Sequence, residues 1–280
     1  MRFAYRCFIV FFLATFSALA QINSGIQLPV TVLAKQNSHA TLDKSTLRVL
    51  IDKNPAQVGD VIVPQNNSLD FVVAVDLSGS TRERVDYIKG ATVKLFEALE
   101  SENGKGFLLL LGENIVISSR PLSIDAVKQV LDSVKPRGGS PIYDSIIKAS
   151  ETLSKLPSAA SHRRAIVLIS DGEDNESGNT RQQAIEVALQ RGIPVFAIYP
   201  TGKAEGRGRI ALQETTRATG GQYFDPGQPI DAVPKVADML MQQYLVEITP
   251  PTLSGKDHHS LKIESSLKVL APEAYVSSTR

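Results

Sequence analysis

The sequence predicts an α/β protein built on a doubly wound, mostly parallel sheet, with a small accessory β unit contributed by both chain ends. Two observations carry this. Between residues 67 and 244, near-continuous apolar runs of strand length (Leu69 to Val75, Phe107 to Leu111, Ala165 to Ile169, Pro194 to Tyr199) alternate with helix-period patterns. Strands that are apolar on both faces need a sheet covered on both sides, which an alternating order of strands and helices provides. On either side of this region, at 21–66 and 245–280, short β-branched runs are broken by Asn, Asp, Lys and Gly with no helical period. That is the pattern of antiparallel strands with one wet face.

In chain order, Arg2 and Arg6, the apolar stretch Phe8 to Leu19 and the small-residue site Ala18-Leu-Ala20 predict a secretory signal over residues 1–20. The apolar run is shorter than the roughly 20 residues that span a bilayer. Cleavage before Gln21 would remove Cys7, the only cysteine, and shift the balance from 30 basic and 29 acidic residues to 28 and 29. The expected product is exported, periplasmic or secreted, without a transmembrane segment, and held by its core without disulfides. With 42% hydrophobic residues and a formal charge of +1, the chain is globular, and no basic cluster interleaved with aromatics points to nucleic acid.

The runs Leu28 to Leu33, Leu47 to Ile51 and Val61 to Val63 read as scaffold strands, with His39 in a solvated loop. In the alternating region the helical faces are Val85, Ile88, Thr92, Leu95 and Leu99, then Val127, Val130 and Leu131, then Ile142, Ile146, Ala149 and Leu153, then Ala184, Val187 and Ala188. A last face runs from Ile230 to Tyr244, and Ile115 to Ile117 suggests an antiparallel strand paired with Phe107 to Leu111. Leu245 to Ile248, Leu261 to Ile263 and Val269 to Leu270 return to β character and should join the strands of residues 28–63. His258 and His259 lie in a polar turn and read as solvent-facing.

Ligands of such sheets bind outside the carboxyl ends of the strands. Asp76 ends the first parallel strand and is followed at alternate positions by Ser78 and Ser80, while Asp171 ends the Ala165 to Ile169 strand on the same rim. Between them Gly138-Gly139-Ser140-Pro141 leads into a helix. Carboxylate and hydroxyl oxygens suit a hard cation, Mg²⁺ or Mn²⁺, better than zinc or copper. Each segment also has a purely structural reading: Ser80 with Glu83 fits a capping box, and Ser140 fits an N-cap.

Taken together, Asp-x-Ser-x-Ser at 76–80, Gly-Gly-Ser at 138–140 and Asp-Gly at 171–172 resemble the metal-ion-dependent adhesion site of von Willebrand factor type A domains, over about residues 67–245. Gly139-Ser-Pro-Ile-Tyr-Asp144, Leu168-Ile-Ser-Asp-Gly-Glu-Asp-Asn175 and Thr219-Gly-Gly-Gln-Tyr-Phe224 look more narrowly like the exported bacterial proteins of that kind. The resemblance implies that Ser78, Ser80 and Ser140 ligate the metal and that Asp76 and Asp171 hold it directly or through water. Most such domains supply Thr where this chain has Ser140, which keeps the oxygen and loses the methyl that restricts its rotamers. Two carboxylates and three hydroxyls leave an octahedral position for water or for a partner's carboxylate. Ca²⁺ is the poorer match.

Other sites fit less well. Asp171 to Glu176 has Glu where a calcium loop needs Gly, so Asp174 reads as a solvated loop acid. Gly202 to Arg209 lacks the Ser or Thr and the leading Gly of a phosphate loop. It reads instead as a mobile surface loop whose Lys203, Arg207 and Arg209 could steer an acidic ligand. A hydrolase finds no nucleophile elbow here, and His162 lies in a polar linker. The function expected is a metal-dependent protein-binding module that engages Asp or Glu of a protein partner. A metal-dependent hydrolase and a structural domain with an unused site are the alternatives.

Overall fold

The structure, a computed structural model, describes residues 25–33, 41–64, 68–100, 103–157, 162–200, 206–253, 255 and 257–277. The expected signal segment, His39 and Lys203 lie outside the described residues. The chain begins with β1 (Ile26–Val32), β2 (Arg48–Ile51) and β3 (Asn54–Ile62). The alternating region follows: β4 (Leu69–Asp76), α1 (Val85–Leu99), β5 (Gly106–Leu111), β6 (Val116–Ile117), α2 (Ile124–Ser133), α3 (Ile142–Ser154), β7 (Arg163–Ile169), α4 (Arg181–Gln190), β8 (Val195–Ile198), α5 (Arg207–Thr219), β9 (Tyr223–Phe224) and α6 (Val233–Met241). It ends with β10 (Gln243–Thr249), β11 (His258–Glu264), β12 (Val269–Leu270) and β13 (Ala274–Val276).

Six strands form one sheet in the order β6-β5-β4-β7-β8-β9, parallel except for the edge strand β6. Every residue of β4 is buried, and the two-residue period of a strand divides them between two cores. Leu69, Phe71, Val73 and Val75 pack with Ile88, Leu95 and Leu99 of α1, Leu131 of α2 and Leu240 of α6. Val72 and Ala74 pack on the other face with Ile142 and Ile146 of α3, Ala184 of α4 and Leu212 of α5. Truncating one such residue, Leu95→Ala for example, costs on the order of 2–5 kcal/mol.

The other strands form a seven-stranded sheet, β12-β1-β10-β3-β2-β11-β13, antiparallel in each of its pairs. The chain is therefore α/β, but not one doubly wound sheet with a minor appendage: the antiparallel sheet has more strands than the parallel one and its own core of Leu28, Val30, Val49, Ile51, Tyr244, Val246 and Ile248. The last helical face is shorter than its sequence pattern. Residues Pro229–Ala232 are a 3-10 turn, α6 stops at Met241, and Tyr244 sits in β10 opposite Val30. There its ring joins the core of the antiparallel sheet.

One of the two histidine expectations is corrected: His258 is exposed, as expected, and His259 is not. His259 is buried, with Nδ1 2.7 Å from Asp52 Oδ2 and its ring stacked near Tyr275. His258 reaches across to Glu186 of α4 at 3.0 Å. Both result from β11 pairing with β2 and β13, which turns a stretch that looks like a polar turn into a strand. Among the described residues no helix is long and apolar enough to cross a membrane.

Candidate metal centre

Asp76 is the last residue of β4, and its side chain is completely buried. Oδ1 accepts from the Ser78 backbone N–H at 3.0 Å and from Ser140 Oγ at 3.2 Å. Oδ2 accepts from Ser170 Oγ at 2.6 Å and from Ser140 Oγ at 3.2 Å. Ser78 and Ser80 bring their hydroxyls within 3.0 Å of each other, Ser78 buried and Ser80 exposed.

The backbone explains why these oxygens converge. Thr81 Oγ1 donates to the carbonyls of Asp76 and Ser78, both at 3.0 Å, and this folds residues 76–81 into a tight turn. Gly79 N–H to Gly138 O (3.1 Å) and Arg137 N–H to Leu77 O (2.8 Å) then join that turn to the Ser140 loop. Asp171 follows β7, which lies beside β4, and accepts from the Glu173 N–H at 3.1 Å.

Neither capping reading of the serines is realised. Residues Gly79–Arg84 are a 3-10 turn, the cap of α1 is Arg84, and Ser80 faces Ser78 instead. Pro141, not Ser140, occupies the N-cap of α3, which leaves the Ser140 hydroxyl for Asp76. The free N–H groups of α3 are met by Asp174, whose Oδ1 accepts from Ile142 (2.7 Å) and Tyr143 (3.3 Å). Asp174 is thus a helix cap supplied from another loop, not a solvated acid. The next residue, Asn175, holds Ser140 from two sides: its Oδ1 accepts from Ser140 N–H at 2.7 Å, and its own N–H donates to Ser140 O at 3.3 Å.

Arg207 and Arg209 were expected in a loop, but both lie in the first turn of α5, exposed on either side of Gly208. Gly208 packs so closely on the Asp171 loop that a Cβ there would fall 2.4 Å from Asp171 O. This contact keeps the two arginines on the same rim as Asp76.

Sequence reasoning missed Ser170, Asp174 and Asn175. Ser170 left one signal, a hydroxyl directly after the last apolar residue of β7. The other two act on a segment more than thirty residues away, and no spacing rule reveals that.

No family model and no curated protein matches the chain. Solved structures do. A von Willebrand factor type A protein from Catenulispora acidiphila is similar over 91% of this chain and 75% of that one, at 14% identity and a TM-score of 0.54. An aerotolerance-related membrane protein from Bacteroides fragilis is 20% identical, covering 62% of this chain and 98% of that one, with a TM-score of 0.52. The chain has the fold of a von Willebrand factor type A domain. Proximal thread matrix protein 1 of the mussel byssus, with a zinc-occupied MIDAS motif, is also similar, at 12% identity and a TM-score of 0.52, over 68% of this chain and 49% of that one.

Whether the type A rim of this chain suits a cation can be tested on its donors. Burial pushes the Asp76 carboxyl above its ordinary range, the hydrogen bonds from Ser170 and Ser78 pull it back, and the Asp171 charge raises it again. Among the described residues, the only charge acting on Asp76 is that of a second acid. A buried carboxylate without a cation is unfavourable, whereas oxygen donors around it are what a hard divalent ion needs. The donor set fits.

Proposed function

We propose that this protein is an exported, metal-dependent protein-binding module of adhesion type. Asp76, Ser78, Ser80, Ser140 and Asp171 hold Mg²⁺ or Mn²⁺, and the bound ion offers a position to an aspartate or glutamate of a protein partner. The observation that carries this reading is Asp76 itself, completely buried, wrapped in hydroxyls and faced by another acid. A divalent ion resolves that charge imbalance and adds a Lewis-acidic contact for a carboxylate.

Residues 67–244 would form the binding unit, with 21–66 and 245–280 as its support, and residues 1–20 would direct export. The exposed Arg207 and Arg209 on the α5 turn beside Asp171, with Lys203, would steer an acidic surface toward the rim. A pilus adhesin, SpaC from Lactobacillus rhamnosus GG, shares the fold at 11% identity and a TM-score of 0.50, which is in keeping with a binding role.

The test is capture of partners from the producing organism on immobilised protein, in Mg²⁺ and in chelator, with Asp76→Ala alongside. Proteins retained by the unaltered module in Mg²⁺, released by chelator and absent from Asp76→Ala are the expected result. An identical retained set in all three conditions would contradict the metal-centred reading.

A further inference from the structure

The end of the parallel sheet opposite Asp76 holds a feature that the metal rim does not use. A slot of about 380 Å³ opens there between the start of β1, β13 and the end of α4, with Arg164 in its wall. Arg164 lies near the start of β7 and Ser170 just past its end, so the slot and the rim are separated by the length of that strand, roughly 20 Å at about 3.3 Å per residue.

Both strands that line the slot are incompletely paired. Over Ile26 to Val30, β1 pairs with β10 on one side, while β12 reaches only Thr31 and Val32 on the other. Strand β13 stands last in its sheet and pairs with β11 alone. Each therefore has a stretch with one edge lacking a strand partner among the described residues, and these stretches face one cavity. Gly192, with φ +60°, packs closely beside β1 at the slot wall: a Cβ there would lie 3.1 Å from Gln27 O and 4.0 Å from Arg164 Nη2.

Arg164 gives the slot its chemistry. It is partly buried, and burial pulls its pKa below the usual arginine value, with Asp70 opposing that pull and Arg191 adding to it. Among the described residues its guanidinium has no hydrogen bond and no ion pair. Asp70 is already engaged by His162 Nδ1 at 3.0 Å and by Lys105 N–H at 2.8 Å. Arg191, the nearby second cation, is tied down by Ser154 Oγ (3.2 Å) and Val187 O (3.4 Å). A guanidinium carries five N–H donors in a planar fork that matches a carboxylate, and an unused fork at the wall of a cavity is poised for a bidentate, charge-assisted contact.

We propose that this slot is a second binding site, in which an extended peptide lies along the open edges of β1 and β13 and places an aspartate or glutamate carboxylate on Arg164. Strand edges supply main-chain hydrogen bonds and the arginine supplies selection, the division of labour usual when a peptide adds to a sheet. The site is independent of the metal rim and stands or falls separately from it.

The test is a titration of ¹⁵N-labelled protein with a blocked valyl-glutamyl-valine tripeptide and with its glutamine counterpart. The glutamate peptide should shift the amides of Gln27, Gly192 and Tyr275 saturably. The glutamine peptide should need about tenfold more, the size expected for loss of a charged hydrogen-bond partner. Arg164→Met should bring the glutamate peptide down to the glutamine level, and chelator should change nothing. Equal titration by the two peptides, shifts confined to other regions, or no shift at these amides would overturn the proposal. The comparison of two peptides on unaltered protein holds even if Arg164→Met fails to fold.

Discussion

Strand β4 carries a completely buried aspartate near each end, and their surroundings differ in kind. Asp70, at the amino end, meets His162 and the Lys105 N–H, and acts on Arg164 nearby. Asp76, at the carboxyl end, meets three serines and a second acid. The difference follows from sheet position. Loops leaving the carboxyl ends of parallel strands diverge and leave a rim open to ligands. The amino ends here lie against the antiparallel sheet, as the Gln243 side-chain bond to Arg164 O illustrates. Burial alone thus does not distinguish the two acids; their partners do, and on the proposed reading it is the acid with only hydroxyls, a backbone N–H and a second acid around it that would take a cation.

Replacing the two acids in turn should break this symmetry most sharply. Asp70→Ala leaves His162 and neighbouring buried groups without their acid and should remove on the order of 3 kcal/mol of stability, measured by urea unfolding, with metal affinity unchanged. Asp76→Ala should lose much less stability in chelator, because it deletes an uncompensated buried acid along with its hydrogen bonds. Equal losses would make Asp76 a structural residue like Asp70.

The loop that carries Asp174 and Asn175 sharpens the comparison on a finer scale. Asn175→Ala frees the Ser140 backbone and should weaken Mg²⁺ binding about tenfold by calorimetry, the usual effect of losing a residue that orients a ligand. Asp174→Ala removes the cap of α3 and should lower stability by about 1 kcal/mol in thermal unfolding, with a smaller change in metal affinity. If the two substitutions acted alike, the loop would be a single structural unit with no separate hold on Ser140.

The smallest effect belongs to an acid outside both ends of β4. The hydrogen bond from His259, and then that from the Ser260 N–H, holds the Asp52 carboxyl below its ordinary value of 3.8. A depressed folded-state pKa means that the stabilisation is present above 3.8 and is lost as pH falls through the lower folded value. Thermal unfolding followed from about pH 5 down to about pH 3 should show a shallower acid decline for Asp52→Asn than for the unaltered protein, in chelator and in Mg²⁺ alike. A difference that appeared only with Mg²⁺ would tie this corner to the rim instead.

Much of the architecture was legible because periodicity is a local property. The eight buried residues of β4 and the helical faces of α1 and α3 are written in consecutive residues. Asp76, Ser78 and Ser80 were legible too, since a carboxylate at a strand end followed by alternating hydroxyls needs no distant information. What stayed hidden depends on segments meeting. Asp174 and Asn175 matter only because their loop folds back on Ser140 and α3, and His259 is buried only because β11 finds β2. Arg207 and Arg209 read as loop residues because glycines surround them, yet Gly208 is there to let a helix start against the Asp171 loop.

The central claim, that the unmatched charge at Asp76 is meant for a divalent cation, is tested most directly by titrating chelator-treated protein with Mn²⁺ and following free ion by electron paramagnetic resonance. The account predicts saturable binding at a single site per chain, displacement of Mn²⁺ by Mg²⁺, and no depletion of free ion by Asp76→Ala. Absence of binding to the unaltered protein, or binding that Asp76→Ala retains in full, would contradict it.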